Sequence, residues 1–106
     1  MHFISANIVR FVDDHQPGWV ECEFYDADGH RHILTDKVPI LTDKTLDADS
    51  SYPAPGQIPC EVLKRFQDAT GRYLACVSTD KPCSIESAEG LSQFTVPASL
   101  LTSTPD

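Results

Sequence analysis

The chain has no apolar run that approaches the roughly 20 residues needed for a membrane-spanning helix. Its first residues, MHFISANIVRF, place Asn7 and Arg10 where a signal peptide requires an apolar stretch. We therefore expect a cytoplasmic protein that does not associate with membranes. A length of 106 residues fits one small domain, spanning residues 1–106.

Basic residues are also scarce. The chain has 8 Lys and Arg against 16 Asp and Glu, which gives a formal net charge of −8. Such a charge repels a phosphate backbone, so nucleic acid is a poor partner, whereas a basic protein would be attracted. A small nucleic-acid-binding barrel stays open as an alternative only if the few cations gather on one face.

The four cysteines, Cys22, Cys60, Cys76 and Cys83, contain no C-x-x-C spacing. In a reducing compartment they would be free thiols. The first three lie in apolar or alternating segments, where a thiol behaves as a small hydrophobic group. The sequence therefore predicts buried structural thiols rather than disulfides.

Signatures of catalysis are missing as well. No G-x-S-x-G motif is present, and the five glycines are too scattered to form a phosphate-binding loop. The carboxylates of Asp13 and Asp14 are adjacent in a turn-like segment, where successive side chains diverge. We expect no catalytic activity and no cofactor.

Several segments have the composition or alternation of β-strands. Trp19 to Tyr25 is the clearest, because Val20, Cys22 and Phe24 alternate with acidic residues. Similar segments cover residues 3–12, 30–38, 57–79 and 93–97. The polar stretch from Thr42 to Gly56 predicts one long loop.

Two related tetrapeptides, DADG at residues 26–29 and DATG at residues 68–71, predict hairpin turns. Asp at the first position and Gly at the fourth are typical of a type I turn followed by a residue with positive φ. The fold class is therefore all-β and mainly antiparallel, a small barrel or sandwich of six to seven short strands. The alternative is α+β with one helix near residues 60–70, because Val62, Leu63 and Phe66 also have helical spacing.

The stretch DADGHRH suggests a metal site, although not a calcium loop. Counted from Asp26, the glycine comes at position 4 and position 12 is Lys37, whereas an EF-hand needs Gly at 6 and Glu at 12. His30 and His32 are two residues apart and would share a strand face. They could bind zinc or another divalent transition metal with Cys22.

Asp36 and the more distant His15 are further candidate ligands for such a site. No spacing here is diagnostic of a metal, so the sequence favours a simpler interpretation, in which both histidines are exposed polar residues after a turn that partner Tyr25 or Glu23 across the strand ladder.

Aromatic and acidic residues in loops can anchor a protein interface. Trp19, Asp47, Asp49 and Tyr52 are the candidates here, although a lone Trp such as Trp19 more often caps the core of a small barrel. The leading hypothesis is a non-enzymatic module that binds a basic protein, for example by neutralising it as bacterial immunity proteins do. A metal-binding protein is the second hypothesis, and pairing of edge strands could produce a homodimer.

Overall fold

The computed structural model describes residues 1–104 and consists of one strongly curled antiparallel sheet in the order β3-β2-β1-β4-β5-β6, with β7 pairing with β1. A single α-helical turn follows β3, and a short 3-10 turn precedes β7. The elements are β1 (His2–Asp13), β2 (Trp19–Tyr25), β3 (Arg31–Lys37), α1 (Val38–Leu41), β4 (Ala54–Gln67), β5 (Tyr73–Ser78), β6 (Gln93–Pro97), the 3-10 turn (Ala98–Leu100) and β7 (Leu101–Ser103). The sheet forms a half-barrel, which confirms the all-β prediction.

The curl comes from two long strands that are each shared between neighbours. The first residues of β1 pair with β4, and its later residues pair with β2 across two register shifts. In β4, residues 54–60 pair with β1 and residues 61–67 with β5. The β2–β3 turn approaches β6, where the Ala27 N–H donates to the Thr95 carbonyl oxygen at 2.9 Å.

The inner face of this curl is the hydrophobic core. In β2 the predicted alternation is observed, since Val20, Cys22 and Phe24 are buried while the acidic residues between them face outward. Residues of β1, β3, β4, β5 and β6 complete the same cluster, among them Ile4, Ile8, Leu34, Ile58, Val77, Phe94 and Val96. Burial of this apolar surface is what holds the sheet in its curled shape.

Both tetrapeptides form the predicted turns. In DADG the Gly29 N–H donates to the Asp26 carbonyl oxygen at 3.0 Å, and in DATG the Gly71 N–H donates to that of Asp68 at 3.0 Å. The two glycines have φ of +82° and +89°, a region that favours glycine. The helix considered as an alternative near residues 60–70 is not formed. Residues 60–67 belong to β4, and residues 68–70 belong to the turn between β4 and β5.

The extended segment predicted over residues 30–38 is shorter in the structure, because β3 ends at Lys37 and Val38 belongs to the segment that follows. Val38–Leu41 forms α1, which has Pro39 in its first turn and buries Val38 and Leu41. The loop that follows ends at residue 53, because Ala54 already pairs with Ile8 of β1. Among residues 1–104, no helix has both the length and the apolar character required to cross a membrane.

Candidate functional site

An open cleft of about 590 Å³ lies where the DADG turn and the start of β3 meet β6. The side of the cleft that the turn contributes carries carboxylate and imidazole groups, and the phenyl ring of Phe94 lines the other side. The residues that matter for its chemistry are Asp26, Asp28, His30, His32, Glu89 and Phe94. Both histidines of the DADGHRH stretch and three carboxylates line this cleft.

Asp26 is fixed at the base of the turn by both of its carboxylate oxygens. Its Oδ1 accepts the backbone N–H groups of Asp28 at 2.9 Å and His30 at 3.0 Å, while its Oδ2 accepts from His32 Nε2 at 2.7 Å. Burial would raise the pKa of this carboxyl group, but the hydrogen bonds from His32 and the two amides outweigh burial and lower the pKa below 3.8. Asp26 is therefore an ionised carboxylate at neutral pH.

His32 is buried behind Asp26, with 8% of the residue exposed. Its ring packs against Phe24, with centroids 5.3 Å apart, and against Phe94 at 4.8 Å. Because Asp26 is ionised and can only accept, Nε2 carries the proton of this hydrogen bond. His32 Nδ1 is buried and has no hydrogen-bond partner.

His30 and Asp28 are exposed and lie on the solvent side of Asp26. His30 Nδ1 is 3.7 Å from Asp26 Oδ2, and one ligand atom from each of Asp26, Asp28 and His30 lies within 4.8 Å of the others. The two histidines of the predicted site thus converge on the same carboxylate from opposite sides. One is held rigidly in the interior and the other is free to move in solvent.

Cys22 lies on the inner face of β2 with no exposed surface, and its register partner is Leu34 rather than His32. It does not belong to either group of three candidate ligands within residues 1–104, of which the second is Asp13, Asp14 and His15. Asp36 accepts the Lys37 N–H at 2.7 Å, far along β3 from the cleft. The ligands gathered at the cleft are therefore His30, Asp26 and Asp28, with His32 behind them.

The burial of Cys22 and Cys60 can be tested by chemical modification of their thiols. Burial raises the pKa of Cys22 to about 12 and that of Cys60 to about 11, so both are almost fully protonated at pH 8. Since the thiolate is the reactive form, we expect iodoacetamide to leave both unmodified in the folded protein and to modify both in urea. Mass spectrometry of digested samples measures this, and rapid labelling of Cys22 in the folded state would contradict its burial.

A second charged region lies at the opposite end of β2, where β1 turns into β2 and α1 leads into the long loop. Asp13 pairs with Trp19, Trp19 pairs with Lys37, and the Val38 N–H donates to the Gly18 carbonyl oxygen at 3.0 Å. We call the exposed carboxylates of these segments the acidic end: Asp13, Asp14, Asp43, Asp47 and Asp49.

The two aromatic candidates at this end have different surroundings. Trp19 is half-buried on the outer face of β2, outside the core cluster, with Lys37 Nζ 5.7 Å from its ring centre. Tyr52 packs against the core, and its hydroxyl donates to the Asp47 carbonyl oxygen at 2.6 Å. Trp19 therefore offers a contact surface, whereas Tyr52 orders the loop that carries Asp47 and Asp49.

Four members of the cleft were not predicted from the sequence: Asp26, Asp28, Glu89 and Phe94. Asp26 was interpreted only as a turn residue, and Asp28 was not singled out, although the spacing of both from His30 is visible in DADGHRH. Phe94 comes from β6, more than 60 residues along the chain, and only the curl of the sheet brings it to His32. No protein-family model matches this chain, and comparison with curated proteins and with solved structures finds no match.

Proposed function

We propose that this chain is a small acidic module without catalytic activity, which binds a basic protein through the acidic end. The observation that carries the proposal is the set of five exposed aspartates there. Among residues 1–104, none of these carboxylates lies within 4.0 Å of a Lys or Arg side chain, and only Asp13 has a histidine partner, His15. Lys37 and Lys44 are nearby in sequence but make no ion pair with any residue of the described part of the chain.

The arginines neutralise acidic residues elsewhere. Arg10 pairs with Glu21 at 3.2 Å and Arg31 pairs with Glu23, both across the outer face of β1, β2 and β3. Arg72 pairs with Asp68 at the second turn. The five carboxylates of the acidic end thus keep their charge without an arginine partner, and a group of like charges on one part of the surface accelerates the approach of a positively charged partner.

Trp19 supports the same location for an interface. Its ring is outside the core, beside Asp13, and tryptophan on a half-exposed sheet face is a frequent anchor of protein complexes. The chemistry of the acidic end suits a basic toxin or nuclease as the partner, whose function the bound module would block. This choice of partner rests on the size and charge of the chain, since no motif identifies it.

Neutralising the acidic end should weaken capture of a basic partner. In the triple variant Asp14→Asn, Asp43→Asn and Asp49→Asn, we expect at least about tenfold less protein captured from a host-cell lysate at about 50 mM NaCl. These three side chains make no hydrogen bond in the described structure, so the fold is unaffected. Capture by the unmodified chain should be lost by about 300 mM NaCl, because salt screens exposed charges.

The matched control is Glu61→Gln, Asp80→Asn and Glu86→Gln, which removes three exposed charges from other parts of the chain. Quantitative mass spectrometry of the captured proteins compares the two triple variants. Equal losses in both would show that net charge alone matters, and capture that resists salt would contradict an electrostatic interface.

A further inference from the structure

We propose that the cleft binds one divalent transition-metal ion, such as Zn²⁺, through Asp26, Asp28 and His30, and that His32 positions Asp26 for this role. The site lies at the opposite end of β2 from the acidic end. It goes beyond the protein-binding function and does not depend on it.

The three ligand groups are already close enough to converge on one ion. Their ligand atoms lie within 4.8 Å of one another. Ligands about 2.0–2.1 Å from a tetrahedral zinc ion are roughly 3.4 Å apart, so the exposed side chains must move inward by about 1 Å. Asp28 and His30 are free to do so, since both are exposed, while Asp26 is held in place by the turn.

His32 is the independent indication that the cluster is built for a ligand. Its imidazole is more than nine-tenths buried, lines the cleft, and directs Nε2 at Asp26 Oδ2, although Nδ1 then has no partner. Burying a polar atom without a hydrogen bond costs free energy. Carboxylates that bind metal are commonly held by a hydrogen bond from a second side chain, and the His32 to Asp26 contact has that form.

The second turn shows that turn formation does not require these residues. Asp68 makes the same two backbone contacts as Asp26, because its Oδ1 accepts the N–H groups of Thr70 and Arg72, each at 2.9 Å. At the positions equivalent to Asp28, His30 and His32, however, that turn has Thr70, Arg72 and Leu74.

Leu74 is buried, as His32 is, so an apolar residue satisfies the packing at this position. The two hairpins therefore share the backbone hydrogen bonds of the turn and differ at four of these seven positions, three of which bear metal-binding groups only in the first. Turn geometry accounts for Asp26 and Gly29 but not for this difference.

The ligand set also suits the ion. Two carboxylates and a neutral imidazole balance the charge of a divalent cation, and mixed oxygen and nitrogen ligands favour zinc or a neighbouring transition metal over calcium. Three protein ligands leave a fourth position for water or for a group from a partner.

The test uses protein purified without an affinity tag, treated with a chelator and titrated with Zn²⁺ alone by calorimetry. We expect one equivalent per chain, and at least about tenfold weaker binding in Asp28→Ala and in His30→Ala, each of which removes one ligand. His32→Leu, which copies the second turn, should weaken binding by about 10–100-fold, as loss of a hydrogen bond to a ligand does. Nitrogen shifts of the four imidazoles, followed by NMR, should show Zn²⁺ at His30 Nδ1.

His15→Ala is the control, because His15 lies in an exposed group with Asp13 and Asp14 that has no buried histidine behind it. We expect this variant to bind as tightly as the unmodified chain. Absence of Zn²⁺ binding, or binding that His30→Ala leaves unchanged, would overturn the site. Unchanged affinity in His32→Leu would overturn the positioning role of His32, and the exposed variants keep the test valid if His32→Leu does not fold.

Discussion

Replacing Phe94 by alanine is expected to lower the free energy of unfolding by about 3–5 kcal/mol, the usual cost of removing a buried phenyl ring. Phe94 is 6% exposed and meets Phe24 edge to face, with ring centroids 5.1 Å apart. It also covers His32. Its loss therefore leaves a cavity between β2, β3 and β6, where the two sides of the curled sheet come together.

Urea unfolding measures this effect, and with a typical slope for a small domain the midpoint should fall by roughly 2 M or more. Tyr73→Ala is the matched control, because Tyr73 is also an aromatic residue on a strand but is 71% exposed. We expect its effect to stay within about 0.5 kcal/mol. Similar losses in the two variants would mean that Phe94 does not fill the interior as described.

Local signals predicted the hairpins of this fold accurately. The alternation of Val20, Cys22 and Phe24 set both the bounds and the inward face of β2. Asp26 with Gly29 and Asp68 with Gly71 predicted the two turns. The aspartate side chain accepts backbone hydrogen bonds at the first position and glycine adopts positive φ at the fourth, and both properties are local to the tetrapeptide.

Features that depend on tertiary packing were not predictable in this way. α1 forms because Val38 and Leu41 both reach the core at that point, which no local pattern indicates. The sequence placed His30 and His32 together on one strand face, but β3 begins at Arg31, so His30 stays in solvent while His32 is buried. The meeting of Phe94 with His32 requires the sheet to curl.

The two candidate sites also differ in how far local sequence signals predicted them. Two residues of the acidic end, Asp47 and Asp49, could be named from sequence, because they lie in the predicted loop, whereas the structure adds Asp13, Asp14 and Asp43. The cleft could be named only in part, because two aromatic rings remove His32 from water, and only Phe24 lies across the same hairpin whereas Phe94 comes from distant β6. A buried histidine hydrogen-bonded to a carboxylate is a different chemical group from an exposed one.

Asp26→Ala should therefore destabilise the protein more than Asp68→Ala, although the two aspartates cap equivalent turns. Each variant loses two backbone hydrogen bonds. Asp68 also accepts from two exposed groups, Thr70 Oγ1 at 2.8 Å and Arg72 Nε at 2.9 Å, and water can replace the carboxylate as the partner of both. The other oxygen of Asp26 accepts from His32, whose Nε2 would be left buried without a partner in addition to Nδ1. An orphaned buried polar group costs about 1–3 kcal/mol, and we expect an excess loss of that size in Asp26→Ala.

A double-mutant cycle isolates this excess from the shared effect of the turn. With His32→Leu in the background, no imidazole remains to be orphaned, so Asp26→Ala should then cost the same as Asp68→Ala within about 0.5 kcal/mol. Chemical unfolding in the presence of a chelator measures all the variants without a contribution from bound metal. An excess loss that persists in the His32→Leu background would place it in the turn itself, whereas its disappearance assigns it to the hydrogen bond between Asp26 and His32.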